Sequence, residues 1–317
     1  MQNTTTQRLE RSILWGTVFI DLVLVGAAFF LLFQSRLHSL QGLQVNTHNL
    51  AQLLEQRIAD KARLVDDAVV RVEKALEWQL RTGGIDASRL QWRLALEQEQ
   101  LPEIDAIRVT NKRGDVLWGK GIVAGVNASY ADRAFFLSHQ NNSACDLIVS
   151  PPLKGKVSGL WIVAFTRCYK APDGSFAGVV SASVPVKTFA HLLGSLDLGP
   201  KGTAVIHSTD SGLIARMPAL GGEIGQPGNK KVSEEFTQLL ASNQPVGEFR
   251  TLHTPDGVDR TYAFHRVQGW PFTIAVGLVE DEYLAPWRAQ AIWGGILLGM
   301  LLLMTSTVAW MTIHHLR

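Results

Sequence analysis

The 317-residue sequence predicts an α+β protein: two related modules with antiparallel sheets on a long N-terminal helix, bracketed by two apolar segments. Three observations predict this. The apolar residues are concentrated at the two ends of the chain. After the first apolar run the hydrophobic period is helical, and beyond residue 105 it shortens to two. Finally, a hairpin, a short helix and three strands occur in that order twice, about a hundred residues apart.

Composition bounds the function classes. Hydrophobic residues make up 46% and charged residues only 18%, against about 25% charged in ordinary soluble domains. The net charge of +2 is too mild for a nucleic-acid partner, and 13 Phe with 9 Trp exclude a disordered chain. Two cysteines exclude a disulfide-dense scaffold and a four-cysteine zinc site.

Ile13 to Phe33 is a run interrupted by one charge, Asp21, and Ala291 to Ile313 carries no charge. Each has the roughly 20 apolar residues needed to cross a bilayer as a helix. Trp293 and Trp310 sit near the ends of the second, as interfacial anchors do. The first run is too long for a typical signal-peptide core, and no clear small-x-small site follows it before Gln34, so it reads as an uncleaved anchor. The flanking charges (Arg8, Arg11, Arg36, Arg288, Arg317) orient the chain only slightly. Within the runs, Asp21 is costly in lipid and marks a functional position or a tolerated single acid. Gly295 and Gly299 form a GxxxG pattern that permits close helix contact.

Leu50, Leu54, Ile58, Val65, Val69, Val72 and Leu76 follow at helical spacings, and Gly83-Gly84 ends the pattern near Arg81. This helix packs on its own domain; a homodimer seam and a mechanical link to the membrane are compatible with it. Next, Ala106 to Thr110 and Asp115 to Trp118 form a hairpin about Gly114, and Thr203 to Ser208 and Leu213 to Arg216 form another about Gly212. A helix near Tyr130–His139 corresponds to one near Ser233–Leu240. The strands Cys145–Ser150, Leu160–Tyr169 and Gly178–Val184 correspond to Val246–Thr251, Arg260–Arg266 and Phe272–Leu278. Each module is thus expected to hold a five-stranded sheet, with turns at Pro172-Asp173-Gly174 and Pro255-Asp256-Gly257. A hairpin centred near residue 156 would set Cys145 almost opposite Cys168, which suits a cross-strand disulfide and an oxidising compartment; two buried free thiols are the alternative.

Together with the flanking apolar runs, this order of elements resembles the double Cache family of bacterial extracytoplasmic sensors over about residues 38–288. The resemblance is most specific at Leu196 to Gly202 (LDLGPKG), Ser211 to Pro218 (SGLIARMP) and Ala285 to Arg288 (APWR). It implies two PAS-like folds, the membrane-distal one holding a small-molecule ligand. It also implies an inner-membrane location with residues 34–290 periplasmic or extracellular, and a cytoplasmic output of the cyclic-di-GMP or histidine-kinase (two-component) type that this sequence lacks, cut away from it or supplied by a partner protein. The division expected is a cytoplasmic 1–12, a span 13–33, a signalling helix 34–82, a distal module 83–188, a proximal module 189–290, a span 291–313 and a cytoplasmic 314–317. A membrane protein whose modules bind a protein partner is the alternative.

The segment Tyr130 to Phe136 is similar to the Cache segment in which an arginine followed by aromatics grips a ligand carboxylate. Arg133 matches that arginine, and Phe135 and Phe136 stand where amino-acid sensors carry Trp-Tyr. Trp161, Val163, Phe165 and Arg167 alternate onto one face of the central strand, bringing a second cation to the same cavity or to the opposite rim. The ligand set expected is therefore Arg133, Tyr130, Phe136, Trp161 and Arg167. The last strand, Val179 to Pro185, lacks the acid that holds an amino acid's ammonium, so a small carboxylate or other anion is the better fit.

Enzyme signatures do not occur: there is no HExxH, G-x-S-x-G, P-loop or CxxC, and the nine histidines lack metal-ligand spacing. Gly119 to Gly125 is a near miss to a dinucleotide loop. With only four residues after Ile313, the chain is expected to be a sensor input region without catalytic residues, cofactor or metal.

Overall fold

In the computed structural model, residues 2–122, 128–142, 144–242, 244–251, 254 and 256–316 are described. Gly125 of the glycine-rich stretch and Pro255 of the second turn lie outside them.

The first helix, α1, runs from Gln2 to Thr82, because no proline occurs before Pro102. It stops where Gly83 and Gly84 adopt φ of 137° and 106°, and the Gly84 N–H donates to the Gln79 carbonyl at 3.0 Å. Ala51, Leu54, Ile58, Ala62, Val65, Val69, Val72 and Leu76 form its buried stripe. A second helix, α2 (Ala87–Gln100), is absent from the expected elements. Asp86 caps it by accepting from the Arg89 N–H at 3.0 Å, and Leu90 and Leu94 are its buried face. Glu97, also buried, accepts from Arg71 of α1 at 2.7–3.1 Å, so the helix pair is joined by charge as well as packing.

The first sheet comprises β1 (Ala106–Thr110), β2 (Val116–Gly119), β3 (Ile148–Val149), β4 (Leu153–Lys154), β5 (Trp161–Lys170) and β6 (Phe176–Pro185), with α3 (Ala134–Asn141) between β2 and β3. Its order is β2-β1-β6-β5-β3, with β4 also pairing β5. Six strands thus replace the five expected. Pro151 and Pro152 have no N–H to give the ladder, so pairing breaks there and resumes at Leu153–Lys154, opposite Ile162 and Trp161. The turn is correspondingly tighter than the expected 153–159. It is closed by the Gly155 N–H on the Leu160 carbonyl at 2.8 Å. Cys145 and Cys168 are joined in a disulfide, with Cα atoms 4.8 Å apart.

Helix α4 (Val186–Gly194) leads to the second sheet: β7 (Thr203–Ser208), β8 (Leu213–Met217), β9 (Val246–Thr251), β10 (Arg260–Arg266) and β11 (Phe272–Leu278), with α5 (Glu234–Ala241) between β8 and β9. Its order, β8-β7-β11-β10-β9 (second, first, fifth, fourth, third), repeats that of the first sheet once the two-residue β4 is set aside. The repeat read from the sequence is therefore a repeat of topology.

Strand alternation distributes the core. Val163, Phe165, Val180 and Ala182 of the first sheet and Ala204, Ile206, Ala263 and Ile274 of the second share one buried cluster with the α1 stripe. The opposite faces carry separate clusters, around Phe135 and Phe136 of α3 and around Phe236 of α5. Thr47 to Leu278 form one compact unit. The stripe of α1 is a wall common to both sheets, which explains why it is longer than one module needs. A chain of polar contacts reinforces it on the second sheet: Glu248 to His48 at 2.9 Å, His48 to His265 at 3.2 Å, and His265 to Glu55 at 2.9 Å.

The segment ending at Asn46 and the one beginning at Val279 form the other unit. After the one-turn α6 (Glu280–Tyr283) comes α7 (Ala285–Leu316). Both α1 and α7 are long and apolar enough to cross a membrane, with windows of mean hydropathy 2.3 and 2.0. Asp21 accepts a hydrogen bond from the Thr305 hydroxyl at 2.8 Å, and the Arg36 guanidinium lies 6.0 Å from the Trp287 ring centre. A Cβ on Gly295 or Gly299 would meet no atom within 4 Å.

Candidate functional site

Each sheet has one face on α1 and one face covered by its own short helix. The sequence reading puts the ligand in the first module, and around Tyr130 to Phe136 the side chains are packed together. Tyr130 and Phe135 meet edge to face at 5.7 Å between ring centres, Phe136 and Phe176 at 5.5 Å, and Ile162, Ala164 and Val179 close the cluster beneath them. Arg133 is half-buried and donates from Nη2 to the Lys154 carbonyl at 2.6 Å, beside Asp132, which pairs with Lys156. Trp161 is exposed, and Arg167 points the other way: its guanidinium binds Asp66 of α1 at 2.7 and 3.0 Å. Trp161, Val163, Phe165 and Arg167 do share a face of β5, but it is the α1 face. Period-two alternation sorts residues onto two faces without saying which face meets the helix. Tyr130 and Phe136 are thus brought together, whereas Arg167 lies on the opposite side of the sheet.

One cation that the sequence reading passed over does reach this face. Arg108 of β1 is buried, donating from Nη1 to Asp105 at 3.1 Å and from Nε to the Lys120 carbonyl at 3.2 Å. Its cross-strand neighbour is Gly119, where any Cβ would lie 2.9 Å from the Arg108 side chain and 2.4 Å from the Ile107 carbonyl. The signal was one arginine among the apolar residues Ala106, Ile107 and Val109 of the strand. Beside it, burial pushes the Tyr130 hydroxyl's pKa up, partly offset by the Arg108 charge.

The second module holds a cavity on the equivalent face. Its cavity volume is about 70 Å³, open to solvent on one side. Phe236, Phe249, Leu213 and Val205 supply apolar wall, and His207, Arg216 and Tyr262 supply polar groups. Leu213 and Arg216 are three residues apart, which on a regular strand puts them on opposite faces. A bulge corrects this: Val205 pairs with Arg216 and Ile206 with Ala215, but His207 pairs with Leu213, so β8 carries one extra residue. Both side chains therefore enter the cavity. A matching shift occurs between Val109 and Thr110 in the first module, where the position equivalent to Arg216 is Gly119.

The electrostatics are asymmetric. Asp256 accepts from Arg216 Nη2 at 2.8 Å and from Arg260 Nη1 and Nη2 at 2.9 and 2.8 Å, and Arg260 Nε donates to the Lys201 carbonyl at 2.7 Å. Burial alone would raise the Asp256 carboxyl, but the hydrogen bonds from Arg260 and Thr254 and the two guanidinium charges hold it far below the usual carboxylate range. Arg216 keeps a buried Nε without a protein partner, and His207 a buried Nδ1. Burial, with the Arg216 charge added, pushes the His207 imidazole down to about 4, so it is neutral near pH 7. Among the described residues no cluster of three or more His, Cys, Asp or Glu is placed to hold a metal ion.

No family model matches the chain, and no curated protein matches it. Solved structures do. The extracellular domain of a protein described as a histidine kinase, rpHK1S-Z16, superposes with a TM-score of 0.69 at 22% identity, covering 78% of this chain and 99% of that one. The ligand-binding domain of the Campylobacter jejuni chemoreceptor Tlp3, bound to 4-methylisoleucine, gives 0.57 at 14% identity over 80% and 95% of the two chains. That of the Pseudomonas aeruginosa amino-acid chemoreceptor PctC, bound to GABA, gives 0.53 at 16% over 73% and 96%.

Proposed function

With the double Cache fold as premise, we propose that this chain is a membrane-anchored extracellular sensor region whose small-molecule site is the cavity of the second module. The observation that carries this reading is the pair of buried, unpartnered polar atoms, Arg216 Nε and His207 Nδ1, at that cavity. A buried donor left without a partner costs about 1–3 kcal/mol, so a ligand that supplies the partner gains what the free protein forgoes. The first module's outer face, filled by Tyr130, Phe135 and Phe136, serves in this reading as packed support.

In this reading 13–33 and 291–313 cross the bacterial inner membrane, residues 34–290 lie outside the cytoplasm, and 83–188 and 189–290 are the two modules. The disulfide between Cys145 and Cys168 is in keeping with an oxidising compartment. A ligand that prefers one arrangement of β8 and α5 shifts the population of that arrangement by its differential affinity, and α1 and α7 carry the difference across the membrane of a homodimer. The output is a cyclic-di-GMP enzyme or a histidine kinase. The neighbours' bound ligands, an amino acid in Tlp3 and GABA in PctC, support small-molecule recognition as the role.

The test is a thermal-unfolding screen of the full chain in nanodiscs against amino acids, carboxylates, amines and purines. At least one class should raise the midpoint, and Phe236→Trp, which intrudes on the cavity, should abolish the rise. Stabilisation by none of these classes, or a rise unaffected by Phe236→Trp, rejects the cavity as the sensing site.

A further inference from the structure

We propose that the second module's cavity recognises a small organic monoanion, a monocarboxylate with a short apolar body, through Arg216 Nε and His207 Nδ1. This rests on the reading of that cavity as the ligand site and names the ligand's chemistry.

The charge balance is the first argument. Arg216 and Arg260 share one counter-ion, Asp256, and their side chains are only 9% and 2% exposed. The trio carries one net positive charge in a poorly solvated place. A buried charge without compensation is costly, and a single negative charge delivered from solvent removes that cost. No acid is among the residues described as lining the cavity, so the compensation must come with the ligand.

The donors are the second argument. Arg260 is committed, with Nε on the Lys201 carbonyl and both Nη atoms on Asp256. Arg216 spends only Nη2 on Asp256, and its buried Nε has no protein partner. His207 is neutral near pH 7 and presents a second unpartnered nitrogen, which donates in the Nδ1–H tautomer. A carboxylate has two acceptor oxygens for two such donors. Asp256 is a positioning residue in this scheme, since it fixes the Arg216 fork.

The same geometry excludes other classes. An amine would bring a positive charge to a site already positive. An α-amino acid would bring an ammonium group that no lining acid meets, because Asp256 is held by two arginines. The other lining cation, Lys231, is exposed to solvent, so a dicarboxylate's second charge would gain little from it while lying against the apolar wall of Phe236, Phe249 and Leu213. The apolar body is specified by Phe236, Phe249 and Leu213, where Phe249 stacks on Tyr262 at 4.8 Å and 7° to make a flat wall.

The experiment is equilibrium binding to the full chain in nanodiscs by titration calorimetry, with matched probes: butyrate and benzoate, their amides, 2-aminobutyrate and succinate. Butyrate or benzoate should bind, and each amide, the amino acid and the diacid should bind at least about tenfold more weakly, as expected when a charge-assisted pair is lost. Arg216→Met and His207→Asn should weaken the acid while leaving amide binding unchanged. Equal affinity for acid and amide overturns the proposal on the unmodified protein, whatever the variants' folding. Binding of an amine or purine that Arg216→Met leaves intact overturns the anion assignment but keeps the cavity as a ligand site. Silence of every probe and every class in the wider screen overturns the site reading itself.

Discussion

The two modules share strand order, a bulge at the same place in the first hairpin and a short helix over the same face, yet that face is packed by an aromatic cluster in one and lined by a cavity in the other. The difference comes down to a few positions. In the first module the arginine is on the first strand (Arg108), opposite a glycine (Gly119), and it folds onto Asp105 and a backbone carbonyl. In the second the arginine is on the second strand (Arg216), opposite a valine (Val205), and one of its nitrogens stays unpartnered. Above them, α3 brings Phe135 and Phe136 down onto the sheet, whereas α5 brings the single Phe236. Exchanging an arginine across a strand pair, and adding one aromatic ring, separates a packed interior from a cavity.

Four experiments would break or sharpen this contrast. The largest effect is expected at Asp256. Asp256→Ala leaves Arg216 and Arg260 buried without a counter-charge, a loss of about 3–5 kcal/mol. Denaturant unfolding should show it, and a change below about 1 kcal/mol would mean the trio is solvated after all.

Next come the matched aromatics. Phe136→Ala hollows a filled interior and should cost about 3–5 kcal/mol, because its ring is fully buried among Phe176 and the first sheet. Phe236→Ala, at the wall of an existing cavity, should cost clearly less in the same unfolding assay. Equal losses would argue that the second module is as tightly packed as the first.

The third is a pH profile. The folded pKa of His207, about 4, lies below the ordinary value near 6.5, so as pH falls the unfolded chain takes up the proton first. The stability associated with its neutral burial is complete above about pH 6.5 and is lost as pH falls towards about 4, on the order of 3 kcal/mol in all. His207→Gln should flatten that part of the curve, and an unchanged slope between pH 6.5 and 4 would place the imidazole in contact with solvent. Ligand saturation should shift the loss, since an anion next to His207 favours its protonated form.

The smallest effect concerns the link from α1 to the first sheet. Arg167 and Asp66 are each about one-fifth exposed and doubly bonded, so a double-mutant cycle to alanine should return a coupling of about 1–2 kcal/mol. The cycle should leave carboxylate affinity at the second module unchanged; a fall in affinity would make this pair part of the signalling path.

Much of the fold was legible. The α1 stripe, both hairpins, the three-strand meanders and the pairing of Cys145 with Cys168 all follow from periodicity and turn residues, which act over a few positions. Two helices, α2 and α4, were missed because each buries only two or three side chains, Leu90, Leu94 and Glu97 on α2 and Phe189 and Leu193 on α4, too few to set a period. The candidate site was far less legible. Arg216 appeared only as one letter in a motif, and the bulge that turns it inward is a register shift between strands, invisible in either strand alone. Arg133, conspicuous beside its aromatics, donates from Nη2 to the Lys154 carbonyl.

By itself the sequence determined the two apolar segments, the repeat and the long helix, because hydrophobic period and turn chemistry are local properties. Tertiary structure decided which face of each sheet meets α1, whether the opposite face is filled, and which arginines have partners. Those outcomes depend on side chains from strands far apart in sequence competing for the same buried volume and the same few carboxylates. Two copies of one topology therefore differ in whether the face under the short helix is packed or lined by a cavity, and side-chain packing decides which.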